Sequence, residues 1–162
     1  MIVATIVAVT APATNAVQPR GCTNFKLRQL SRAVTRHYDA YVARTGLKNT
    51  QYSLLSHVVL LGPIQPVELA RQMKLDASTL TRNLQPLLAQ GWVVQRPGAD
   101  GRSRRIEATD AGRAKRAEGQ RAWKQAQPAL NARMTPQRVV ALHVLVDEML
   151  AALDAGDDED KE

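Results

Sequence analysis

The sequence predicts a mainly α-helical fold with one small β-hairpin, and three observations carry that prediction. Apolar residues recur at helical spacing through most of residues 23–61 and 66–153. The pattern breaks at two short strand-like runs, 92–96 and 104–108, around Pro97-Gly98-Ala99-Asp100-Gly101-Arg102-Ser103, which reads as a hairpin with a glycine-rich tip. Gly or Pro stands at several of the boundaries between these segments. A length of 162 residues suits one domain with appendages.

The elements follow in order. Residues 1–21 are expected to form a disordered or extended arm, because the apolar start lacks the basic residues of a signal peptide and the first basic residue is Arg20. From Thr23 to about Arg44, Leu27, Leu30, Val34, Tyr38 and Val42 form an apolar stripe with Arg28, Arg32 and Arg36 opposite, and Gly46 ends the helix. A second helix, about Thr50 to Leu61, carries Tyr52, Leu54, Leu55, Val58, Val59 and Leu61 and is expected to be buried; Gly62-Pro63 stops it. Pro66 opens a short third helix, where its missing N–H is unneeded. After Lys74-Leu75, Asp76 caps a fourth helix that Gly91 terminates, and Pro86 within it is expected to bend the helix after its first two turns. Thr109 caps a long Ala- and Arg-rich helix to about Arg133, with a disturbance expected near Pro128, and Thr135-Pro136 starts the last helix.

That last helix bears on assembly. Val139, Val140, Leu142, Val144, Leu145, Val146, Met149, Leu150 and Leu153 wrap more of its circumference than one core needs, so a partner subunit is the expected cover. The same argument applies to the aliphatic face of the first helix. One domain, 22–153, is therefore predicted, with dimerisation helices at 22–45 and 113–153 around a unit of shorter helices and the hairpin at about 50–112.

Charge and composition narrow the function. Lys and Arg number 22 against 15 Asp and Glu, a net +7 that favours a polyanionic partner. The segment 154–162, read as an acidic disordered tail, holds six acids and one lysine, which leaves +12 on the body before it. Cys22 is the only cysteine, which excludes an intramolecular disulfide and multi-cysteine metal sites and fits a cytoplasmic setting. His37, His57 and His143 have no second ligand at helical spacing, so no metal is expected. No P-loop, dinucleotide-binding glycine pattern or nucleophile elbow occurs, so neither a cofactor nor an enzymatic activity is expected. No apolar run reaches the roughly 18 residues that a membrane span needs.

A helix, a sharp turn and a second helix followed at once by a hairpin describe a winged helix-turn-helix, whose second helix enters the major groove of duplex DNA. Ala77, Leu80, Leu84, Leu87 and Leu88 share one face of that helix, leaving Ser78, Thr79, Thr81, Arg82 and Gln85 outward. These groups suit phosphates and base edges, although polar outside and leucine inside describes any amphipathic helix. The hairpin adds Arg96, Arg102, Arg104 and Arg105 around a turn, and an extended arginine fits the negative potential of a narrow minor groove. Asp100 can brace Arg102, or Asp100-Gly101 is simply a good turn pair.

The succession Glu68-Leu69-Ala70, Ser78-Thr79-Leu80-Thr81-Arg82, Leu87, Gly91-Trp92-Val93, Asp100-Gly101-Arg102-Ser103-Arg104 and Thr109-Asp110-Ala111-Gly112 resembles the MarR family of bacterial regulators, from about Cys22 to Leu153. The resemblance implies a triangular homodimer with six helices per subunit on a pseudo-palindromic operator in double-stranded DNA, most often a repressor released by a small effector. It matches the family's wing arginine to Arg102, its wing acid to Asp100 and its recognition-helix positions to Ser78 through Gln85.

Two signals are compatible with that resemblance. One branch of the family is a peroxide sensor with a reactive cysteine at the start of the first helix near a partner tyrosine, which invites comparison with Cys22 and Tyr38. Cys22 stands about two residues early in that register, and Lys26 replaces an expected aromatic or apolar neighbour. Arg20, Lys26 and the positive helix end favour a thiolate, yet a cysteine is also an ordinary small apolar residue there. The other signal is a small aromatic acid held between the dimer helices and the DNA-binding lobe, for which Arg32, His37, Tyr38 and His57 are the candidates. A histidine such as His57 in an apolar helix is more often a satisfied core residue. A non-specific architectural DNA-binding protein is the remaining alternative.

Overall fold

The computed structural model describes residues 20–98 and 103–159, with side chains through Asp154. Among these residues lie α1 Thr23–Val42, α2 Asn49–Leu61, α3 Pro66–Gln72, α4 Ala77–Ala89, β1 Val93–Pro97, β2 Arg104–Ala108, α5 Asp110–Met134 and α6 Pro136–Glu159. The arm expected before Arg20 lies outside the described residues. No helix among them is long and apolar enough to cross a membrane.

The boundaries arise from local chemistry. After a short 3-10 turn, Ala43–Thr45, Gly46 takes φ 77° and ends the first helical segment. Pro66 occupies the first turn of α3. At the end of α3 the chain reverses around Lys74 at φ 51°, with Leu75 N–H donating to the Ala70 carbonyl at 2.9 Å and Lys74 N–H to Arg71 at 3.1 Å. That pair of bonds makes the sharp turn of the helix-turn-helix. Gly91, at φ 66°, repeats the arrangement after α4, where Trp92 N–H reaches the Leu87 carbonyl at 3.0 Å. Thr109 caps α5 by accepting from the Gly112 N–H at 3.0 Å.

Strands β1 and β2 pair antiparallel from Val93 opposite Ala108 to Pro97 opposite Arg104. Ile64 adds an isolated bridge: its N–H donates to the Ile106 carbonyl at 3.1 Å and its carbonyl accepts from Ile106 N–H at 2.8 Å. The hairpin is thereby tied to the segment before α3. Leu54, Leu55, Val58, Ile64, Leu69, Leu80, Leu84, Leu87, Val93 and Ile106 form the core of this lobe, so α4 and the hairpin are seated in one packed unit. A second cluster, Val42, Leu47 and Tyr52 with Trp92, Ala122 and Trp123 against it, joins the lobe to α1 and α5.

Several expectations are corrected. Leu61, expected to be buried, is exposed, because the last turn of α2 runs past the core. Pro86 and Pro128 lie inside α4 and α5 without interrupting either helix, which is compatible with a bend at each. Thr135, between α5 and α6, has ψ 139°, the extended value that the following Pro136 favours, together with a positive φ of 65° that the proline does not account for. α6 runs on to Glu159, so the start of the acidic segment expected to be disordered is helical, and Lys74 Nζ donates to Asp154 Oδ2 at 2.8 Å. The run Ala151-Ala152-Leu153 gives the helix no reason to stop earlier.

Candidate nucleic-acid interface

Leu80, Leu84 and Leu87 of α4 are buried in the lobe, while Ser78, Thr81, Arg82 and Gln85 are exposed on its other side. Two positions depart from the expected phase. Ala77 is exposed, because the first turn precedes the point where Leu80 meets the core, and Thr79 is half-buried.

The first turn of α4 is organised by Asp76. Its Oδ1 accepts from Thr79 N–H at 2.7 Å and from the Ser78 hydroxyl at 2.6 Å, and its Oδ2 accepts from the Thr79 hydroxyl at 2.7 Å. The Ser78 hydroxyl, followed by the Thr79 hydroxyl and amide, holds the Asp76 carboxyl well below the usual carboxylate range. Arg82 Nη2 donates to Thr79 Oγ1 at 3.2 Å, and the Thr81 hydroxyl donates back to the Ala77 carbonyl at 2.8 Å. Beside Arg82, Asn83 and Pro86, the start of α2 brings Lys48, Thr50 and Gln51 into a recess of about 160 Å³. Lys48 thus adds a second cation near α4, a neighbour that the sequence spacing did not reveal.

In the hairpin, Arg96 Nε donates to Glu107 Oε2 at 3.1 Å and Arg105 Nη1 to the Pro63 carbonyl at 3.3 Å. Arg104 is exposed. Gly98 N–H donates to the Ser103 carbonyl at 2.7 Å, closing the base of the tip. Asp100 and Arg102, the two residues on which the wing expectation rested, lie outside the described residues.

The four effector candidates do not line one cavity, although the His37 and Tyr38 rings meet edge-on with centroids 5.7 Å apart. Tyr38 and His57 line a cavity of about 480 Å³ between α1, α2 and α5, together with Ser56, Arg116, Gln120, Trp123 and Gln127. Adjacent residues on a helix point about 100° apart, so His37 faces elsewhere and donates from Nε2 to the Ala126 carbonyl at 2.9 Å. Arg32 lies on a separate, exposed part of α1. Within the cavity, Tyr38 donates to Gln127 Oε1, and burial pushes the Tyr38 phenol up from its ordinary pKa. His57 Nδ1 donates to the Ser53 carbonyl at 2.8 Å. Ser56 Oγ and Arg116 Nε are buried without a hydrogen-bond partner among the described residues. Arg116, Gln120, Trp123 and Gln127 recur at helical spacing on α5, a stripe that could have been read from the sequence. Cys22 precedes α1 and is exposed; Tyr38 lies sixteen positions along the same helix, roughly 24 Å away, so one chain does not bring the two together.

Two helices at a sharp turn, the second presenting an exposed polar row, with a hairpin seated on the same core, define a winged helix-turn-helix protein. The MarR family model matches residues 45–103. The HTH-type transcriptional regulator YwoH of Bacillus subtilis is 27% identical over 84 residues, 52% of this chain and 61% of that protein. The multiple antibiotic resistance protein MarR of Salmonella typhimurium is 34% identical over 62 residues, 38% of this chain and 43% of that protein. The matches thus span about half the length of these curated relatives. Among solved structures, the M. tuberculosis transcriptional regulator MosR in complex with DNA is 30% identical with a TM-score of 0.69, covering 82% of this chain and 98% of that one. A mutant E. coli MarR complexed with operator DNA shares the fold at a TM-score of 0.72 and 22% identity, over 78% and 92% of the two chains. The chain belongs to the MarR family.

Proposed function

We propose that the chain is a sequence-specific DNA-binding transcription regulator that acts as a homodimeric repressor on a pseudo-palindromic operator and is released by a small effector. The observation that carries this reading is the exposed row Ser78, Thr81, Arg82 and Gln85 on a helix whose opposite face is sealed into the lobe core. A rigidly seated helix of that kind can enter a major groove without losing packing. Arg104, and Arg102 beyond it, supply cations for the flanking backbone or minor groove. The DNA complexes of the similar MosR and MarR proteins support the assignment.

The dimer is supported by surface that one chain leaves uncovered. Phe25, Leu27 and Leu30 of α1 and Val140, Val144, Leu145, Met149, Leu150 and Leu153 of α6 are all exposed. A patch of that kind favours association, and a second copy would set two α4 helices one turn of DNA apart. The effector reading is supported by the cavity at Tyr38, where the unpartnered Arg116 Nε and Ser56 Oγ and the aromatic wall of Trp123 suit a small aromatic acid.

Gel-shift and footprinting titrations on the region upstream of its own gene test the proposal. The expected result is protection of a two-fold-related site that random competitor DNA does not displace. Equal affinity for random DNA with a steep salt dependence would instead indicate an architectural protein.

A further inference from the structure

A hydroxyl carries one proton, and at the start of α4 both hydroxyl protons are committed to the same carboxylate. Ser78 donates to Asp76 at 2.6 Å and Thr79 donates to it at 2.7 Å. O–H···O⁻ contacts of this length are charge-assisted and stronger than a bond to a neutral acceptor. Asp76 stays ionised throughout the neutral range, because those hydroxyls and the Thr79 amide hold its carboxyl down. Thr79 is half-buried, and its oxygen also accepts from Arg82, so it braces the guanidinium. Ser78 is exposed and offers the groove only lone pairs.

We propose that Asp76 sets the base preference of this regulator: by holding the hydroxyl protons it makes Ser78 an obligate acceptor that selects an amino base, adenine or cytosine, over guanine or thymine. The inference rests on reading α4 as the recognition helix. In the major groove adenine N6 and cytosine N4 are donors, whereas guanine O6 and N7 and thymine O4 are acceptors. A free serine hydroxyl donates or accepts as needed and distinguishes little. An obligate acceptor facing O6 or O4 sets two oxygens together with no proton between them, and that mismatch discriminates. Asp76 is then a positioning residue, acting on the base through Ser78.

The test is selection from randomised operator half-sites by the full-length protein and by the Asp76→Ser and Ser78→Ala variants. Serine caps a helix as well as aspartate does, so Asp76→Ser keeps the end of α4 while removing the carboxylate. The parent is expected to enrich A or C at one position per half-site, on the order of tenfold. Asp76→Ser is expected to admit G and T there with the rest of the site unchanged, and Ser78→Ala to lose the preference. An operator carrying purine in place of the selected adenine, or an unmodified pyrimidinone in place of a selected cytosine, should weaken the parent by the same factor and leave Ser78→Ala unaffected. This arm holds even if Asp76→Ser fails to fold. A parent that selects G or T at the Ser78 position overturns the proposal. So does an Asp76→Ser variant that loses affinity evenly while keeping the amino preference, the result of a cap and nothing more. A parent that binds all sequences equally overturns the recognition-helix reading itself, which distinguishes that failure from the others.

Discussion

Gly112, in the first turn of α5, lies against the backbone of Trp92 so closely that a Cβ on it would overlap the Trp92 carbonyl oxygen. The Thr109 hydroxyl, which accepts from Gly112 N–H, donates to the Gly91 carbonyl at 2.7 Å, so the end of α4, the hairpin and α5 meet at one point. Because the obstacle is backbone, it cannot rotate away. Gly112→Ala is expected to destabilise the protein by about 3 kcal/mol, read as a lowered urea midpoint.

Acid should loosen the helix-turn-helix through two carboxylates. The bonds from Arg71, and then Gln72, lower Glu68 to about 2, and Asp76 lies lower still through Ser78 and Thr79. Both folded-state values fall below the ordinary ones of 4.5 and 3.8, so their contributions are present above those values and decline as pH falls below them. Both groups are exposed, so the effect is modest. Stability measured between pH 5 and pH 2 is expected to fall less steeply in Glu68→Gln than in the parent.

If α4 and the wing contact DNA as proposed, Arg82 and Arg102 should differ in kind. Arg82→Ala is expected to cost about 1–3 kcal/mol at one operator position and to relax preference there. Arg102→Ala is expected to weaken all sequences alike and reduce the salt slope by about one. A gel-shift matrix over single-base operator variants at two salt concentrations separates the two patterns.

A charge on the exposed apolar face of α6 should prevent pairing of chains. Leu150→Arg replaces a side chain 49% exposed in the single chain, so its own fold loses little. Light scattering is expected to give a monomer, and operator affinity to fall by several hundredfold or more because the two half-sites are no longer engaged together.

The cavity makes a separate prediction. Arg116 Nη1 already donates to Gln120 at 2.7 Å, whereas its Nε is unpartnered, so the side chain is held in place with one donor unused. Arg116→Gln is expected to leave operator binding intact and to abolish release by an aromatic carboxylate, measured by competition of benzoate-type acids against bound operator.

The sequence alone determined the features that depend on neighbours a few residues apart. Asp76 and Thr109 cap their helices, Gly46 and Gly91 take the left-handed turns, and the β1–β2 hairpin falls within one residue of its expected limits. The inner face of α4 was legible for the same reason, since a 3.6-residue period either matches Leu80, Leu84 and Leu87 or does not.

Only the tertiary structure decided which distant groups meet. Residues 37 and 38 are adjacent in the chain, yet His37 bonds to Ala126 while Tyr38 faces a cavity shared with Arg116, because a helix turns successive side chains apart and packing selects one direction for each. The bridge from Ile64 to Ile106, the reach of Lys74 to Asp154 and the placing of Lys48 beside Arg82 likewise join residues far apart in sequence. Local periodicity says which side of a helix is apolar. What that side touches is set by the mutual packing of all six helices, which no single stretch of sequence encodes.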